Sequence, residues 1–179
     1  MRVGRSVAAA LIVMLTSTLP LPVYAIKEEN PQLTELLSDA NNEATELASD
    51  AGDTEMLIQS DDNWVNHALM LAKVKGHVDN LELIIDKLSK AQSSGSDLQK
   101  QAVEQMLPMV KELSANTTAA IDYLNQNKSR PVSEAYTQFL KKNAQTARQL
   151  SSIISSLVDY EKSMTEIERL RSSLVVPGN

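Results

Sequence analysis

The sequence predicts an all-α protein, an antiparallel up-down-up-down four-helix bundle that follows a cleaved signal peptide. Three observations carry this expectation. Apolar residues recur at alternating spacings of three and four along four separate stretches, the pattern of a helix with one oily face. The chain has only five glycines and one phenylalanine and is rich in Ala, Leu, Ser, Glu, Gln and Lys, which favours helix over strand. The breaks between the stretches are a few residues long, and such short connections turn consecutive helices antiparallel.

The chain opens with two positive charges, Arg2 and Arg5, followed by the apolar run Val7 to Leu15, Pro20, Pro22 and then Val23-Tyr24-Ala25. A basic start, a short apolar run and small residues before a cut define a secretory signal peptide, here residues 1–25 with cleavage after Ala25. The run is too short and too rich in proline for a transmembrane anchor. Residues 26–174 are expected to form the bundle and 175–179 a flexible tail. Export predicts a periplasmic or secreted protein with no membrane span after cleavage.

Removing Arg2 and Arg5 with the leader takes the net charge from −6 to −8. An acidic exported domain is a poor match for nucleic acid or an anionic membrane, which call for clustered Lys and Arg. The chain contains no cysteine, which removes disulfides, thiolate metal sites and covalent haem attachment. A remainder of about 154 residues is a single-domain length that can bury a core unaided.

The first helix is predicted over 31–59. Asn30-Pro31 offers an N-cap and a proline at the first helical position, and Leu33, Leu37, Ala40, Ala44, Leu47, Ala51, Thr54 and Ile58 form its seam. Gly52 weakens the pattern toward its end. The second helix, over 62–91, has the strongest seam: Trp64, His67, Leu71, Val74, Val78, Leu81, Ile85 and Leu88, with the acidic pair Asp61-Asp62 at its positive end. Ser96-Asp97-Leu98-Gln99 reads as a capping box for a third helix over 97–126. Its seam is Val103, Met106, Val110, Leu113, Thr117, Ala120 and Leu124, and Pro108 in its interior is expected to bend it. The fourth helix, over 132–172, carries Tyr136, Phe139, Asn143, Thr146, Leu150, Ile153, Leu157, Tyr160, Met164 and Ile167. It is the longest of the four, so one end is expected to project, and a homodimer through helix four becomes possible.

The polar members of the seams suggest where a site could lie. Linear counting along antiparallel helices brings Thr54, His67, Thr117 and Asn143 toward one end of the bundle. Their structural reading is that His67 and Asn143 bond each other or backbone and fix register, so that Leu in place of His67 is tolerated. Their functional reading is a small-ligand pocket roofed by Met56, Trp64 and Tyr136, since bundle cores are where such sites are built. A b-type haem would use His67 with Met56, and any metal or haem carrier would be centred on His67. No firm cofactor, metal ligand or catalytic residue follows from the pattern. Glu-x-x-His, a Gly-rich phosphate loop and a nucleophile with base and orienting acid are all missing from the sequence. His77 lies one position before the seam residue Val78 and reads as a boundary histidine. Asn116-Thr117-Thr118 and Asn127-Lys128-Ser129 match a glycan acceptor.

Trp64-x-x-His67-Ala68, Lys75-Gly76-His77-Val78-Asp79 and Ala115-Asn116-Thr117-Thr118-Ala119-Ala120-Ile121 with Leu124-Asn125 resemble a family of small, uncharacterised bacterial exported helical-bundle proteins. The resemblance spans roughly Trp64 to Leu170. No activity is known for that group, so it implies bacterial origin and a periplasmic or secreted location and transfers no catalytic residue. The function expected is non-enzymatic: a structural, partner-binding or envelope-stress role, with an unknown protein or small ligand as partner.

Overall fold

The computed structural model of the chain describes residues 31–60, 63–91 and 95–174. They form four helices, α1 (Pro31–Ser60), α2 (Trp64–Ala91), α3 (Asp97–Gln126) and α4 (Glu134–Leu174), and no strand occurs among the described residues. Both α1 and α3 pack on α2 and on α4, so the helices stand in a ring of four. The leader 1–25, Asn30, Asp61-Asp62, Ser93-Ser94 and the tail 175–179 lie outside the described residues.

Local chemistry sets the helix ends. Asn63 starts α2: its side-chain oxygen accepts from Val65 N–H at 3.0 Å, and its carbonyl accepts the first helical bonds from Asn66 and His67. Ser96 and Gln99 complete the reciprocal capping box at the start of α3, the Ser96 hydroxyl accepting from Gln99 N–H at 3.2 Å and the Gln99 side chain from Ser96 N–H at 2.6 Å. Ser133 starts α4 by accepting from Tyr136 N–H at 3.2 Å, which places that helix start after Ser133 and not at Val132. Two interior breakers are absorbed. α1 runs through Gly52 to Ser60, and α3 runs through the exposed Pro108.

The apolar stripes meet in one long cluster and one short one. The long cluster draws on all four helices, from Leu33 and Leu37 on α1 through Val74 to Leu88 on α2, Val103 to Leu113 on α3 and Ala144 to Leu157 on α4. Buried alanines on α1, Ala40, Ala44 and Ala51, leave room for close approach by its neighbours. The short cluster joins Leu71, Ala120, Leu124, Tyr136 and Leu140, with Trp64, Tyr123 and Phe139 packed against it. Lys128 lies 4.7 Å above the Trp64 ring and covers this end.

Polar contacts bind the helices outside the core. Asn41 meets Ser155 at 2.7 Å and Glu55 meets Arg148 at 3.3 Å between α1 and α4. Gln99 bonds Glu161, and Lys142 pairs with Glu112 at 2.7 Å, between α3 and α4. With 41 residues against 28 to 30 in the others, α4 outruns its partners. Its seam is buried only as far as Leu157: Tyr160, Met164 and Ile167, expected to continue the core, face solvent because α3 begins only two residues before Gln99, the partner of Glu161.

Candidate functional site

Thr54, Thr117, Asn143 and Thr146 stand near where the two apolar clusters meet, and His67 lies inside the short one. Thr54, His67, Thr117, Asn143 and Thr146 are all buried, one or two on each helix. On all four helices the periodicity that makes the core also carries these residues into it, because they occupy seam positions. The cost of burying them is offset only where each finds a partner.

Most of the partners are one another. The Tyr136 hydroxyl lies 3.1 Å from His67 Nδ1, and the two rings meet edge to face with centroids 5.3 Å apart. Tyr123 stacks on the other side of Tyr136 at 5.8 Å. The Asn143 amide donates to Thr117 Oγ1 at 3.1 Å and accepts from Asn116 Nδ2 at 2.8 Å, and Asn116 also donates to the Phe139 carbonyl at 2.8 Å. Thr54 turns its hydroxyl back on its own helix, onto the Asp50 carbonyl at 2.6 Å. Burial pushes the Tyr136 phenol well above its usual range, so it stays a neutral donor.

Of the seven residues singled out as a pocket, Thr54, His67, Thr117, Tyr136 and Asn143 are buried, Trp64 is half-buried and Met56 is exposed. Met56 is 62% exposed, and the His67–Met56 pair that an axially ligated haem would need is not assembled. Trp64 is half-buried over the end of the bundle, whereas Tyr136, expected as a roof, lies fully inside and forms part of the belt itself. Of His67 and Asn143, expected to bond each other or backbone, His67 pairs with Tyr136 and Asn143 with Thr117 and Asn116. Asn116, half-buried and bonded into α4, is poorly placed as a glycan acceptor.

His77, read as an ordinary boundary residue, is held by acids on both sides. Its Nδ1 lies 2.5 Å from Glu43 Oε1 and its Nε2 lies 3.2 Å from Asp50 Oδ2, with Glu46 4.0 Å away. Asn80 also donates to Glu43 at 3.1 Å. The signal was present in α1, where Glu43, Glu46 and Asp50 stand three and four apart on one face, but nothing in α2 said which of its residues would meet them. Among the described residues no group of three or more His, Asp and Glu side chains is arranged to hold a metal ion.

Three grooves of about 370, 450 and 410 Å³ lie between neighbouring helices, and none of the three is lined by the belt residues. No helix among the described residues is long and apolar enough to cross a membrane. No family model matches the chain, and comparison with curated proteins and with solved structures gives no match.

Proposed function

We propose that the chain is a non-enzymatic bacterial protein, exported with residues 1–25 removed, with a structural, partner-binding or envelope-stress role in the periplasm or outside the cell. The observation that carries this reading is the belt around Tyr136 and Asn143. Phenol, imidazole, amide and hydroxyl groups bond largely to one another, an arrangement suited to fixing register between helices. The up-down-up-down connection belongs to the same reading. It is supported by polar pairs that ascend one helix while descending the next: Asn41 with Ser155 then Glu55 with Arg148, Glu43 with Asn80 then Asp50 with His77. The leader's basic start, apolar run and small residues before position 26 support export. The acidic balance argues against nucleic acid as a partner.

The test is the absorbance and metal content of protein purified from its exporting host, with the N-terminus of the purified chain sequenced. A colourless, metal-free protein beginning at Ile26 is expected. A stoichiometric Soret band or bound metal that disappears in His67→Ala would replace this reading with that of a carrier built around His67.

A further inference from the structure

We infer that the solvent-facing stripe at the end of α4 is a self-association surface, and that its occupant is the same stripe of a second copy of this chain. Tyr160, Met164, Ile167, Leu170 and Leu174 follow one another at spacings of four, three, three and four, and each is between 38% and 79% exposed. Tyr160, Met164 and Ile167 continue the heptad seam that is buried up to Leu157, with Leu170 flanking it and Leu174 one heptad beyond Ile167, so the pattern that makes a helix interface persists where no described residue covers it. From Lys162 to Leu174 every residue except Glu168 is exposed. At its inner end the stripe runs into the α3–α4 groove lined by Leu98, Ile153, Leu157 and Tyr160.

Area and charge both favour a second copy. With Leu98, the exposed parts of these six side chains amount to on the order of 600 Å², the upper limit of the apolar patch of a typical monomer. That is close to the ~800 Å² that each partner contributes to a stable interface. Over residues 160–174, Glu161, Glu166 and Glu168 balance Lys162, Arg169 and Arg171, so this end is neutral in a chain whose net charge is −6. Two copies meeting through this end therefore bring no net like charge together. The charges are also ordered along the helix, with Asp159 and Glu161 toward the bundle and Arg171 toward the tip. Two tips laid antiparallel across a twofold axis near Glu166 bring Arg171 of each copy level with Glu161 of the other, with Asp159 about half a turn further on. The arrangement is isologous and closes at two copies.

This surface gives the partner-binding part of the proposed function a specific occupant. It is independent of export and of His67, which N-terminal sequencing and absorbance test separately. The experiment is sedimentation equilibrium of the protein as its host processes it, from about 1 to 100 µM, spanning the micromolar affinity that a small interface provides. A dimer that dissociates on dilution is expected, weakened at least tenfold by Ile167→Glu with helicity and thermal midpoint unchanged, since Ile167 lies outside the core. In this cysteine-free chain, Ile167→Cys should cross-link to a disulfide dimer under mild oxidation, while Leu69→Cys, more exposed on α2 at 62% against 43%, should not. A wild-type chain that stays monomeric throughout, a dimer indifferent to Ile167→Glu, or equal cross-linking from both cysteines would overturn the inference. Binding of the monomer to lipid vesicles that Ile167→Glu abolishes would overturn it too, by giving the stripe to a membrane.

Discussion

His67 and His77 stand ten residues apart on α2 and are held in opposite ways. His67 is fully buried and faces a phenol that burial keeps neutral. His77, with 18% of its side chain exposed, lies between two carboxylates at the α1–α2 boundary. In the core, each of the two rings offsets the cost of burying the other's polar atom, and the pairing ties α2 to α4. At the rim, water remains close enough to screen, so charge is tolerated there and adds little. The difference teaches that the core belt specifies how helices fit, while the rim cluster trims how two of them adhere.

Four measurements would break or sharpen that contrast. The largest effect should come from the apolar core on which both depend: Leu81→Ala, fully buried on α2, should lose about 2 to 5 kcal/mol of unfolding free energy in urea titrations. Next is the core pairing. His67→Leu and Tyr136→Phe each strip a buried polar group of its partner and should each cost about 1 to 3 kcal/mol, against the expectation from the seam alone that Leu would be tolerated. The double variant should recover to within about 1 kcal/mol of wild type, and strictly additive losses would show that the two groups are not a pair.

The third measurement is alkaline stability. The Tyr136 phenol titrates higher in the folded chain than in the unfolded one, so the unfolded chain loses its proton first. Stability from this group is full below about pH 10 and falls as pH rises further, by at most about 1.4 kcal/mol per pH unit. Tyr136→Phe should flatten that decline, and an unchanged slope would place the phenol in water. The smallest effect belongs to the rim. His77→Ala should cost about 1 kcal/mol or less, and part of that should vanish in 1 M salt. A loss from His77→Ala as large as that from His67→Leu would erase the contrast.

Much of the fold was legible because its signal is local and repeated. The seam residues of α2, from His67 to Leu88, are all buried at the spacing that predicted them, and the Ser96 capping box is a local exchange readable from four residues. The candidate site was legible as membership and illegible as pairing. Thr54, His67, Thr117, Tyr136 and Asn143 could be placed in the core by their seam positions, yet that His67 takes Tyr136 and Asn143 takes Thr117 depends on the axial offset and rotation of helices 26 to 69 residues apart in sequence. Met56 shows the same limit from the other side: counting residues gives depth along a helix, and two positions off the seam turn a side chain out to solvent.

By itself the sequence determined that there are four helices and which face of each is apolar, because periodicity, capping and composition act over a few residues. Only the tertiary structure decided which polar groups share a bond, that His77 sits between Glu43 and Asp50, and that no described residue covers the α4 stripe beyond Leu157. Those features depend on where one rigid helix stops beside another, a distance set by the packing of the whole bundle and written in no single stretch of it.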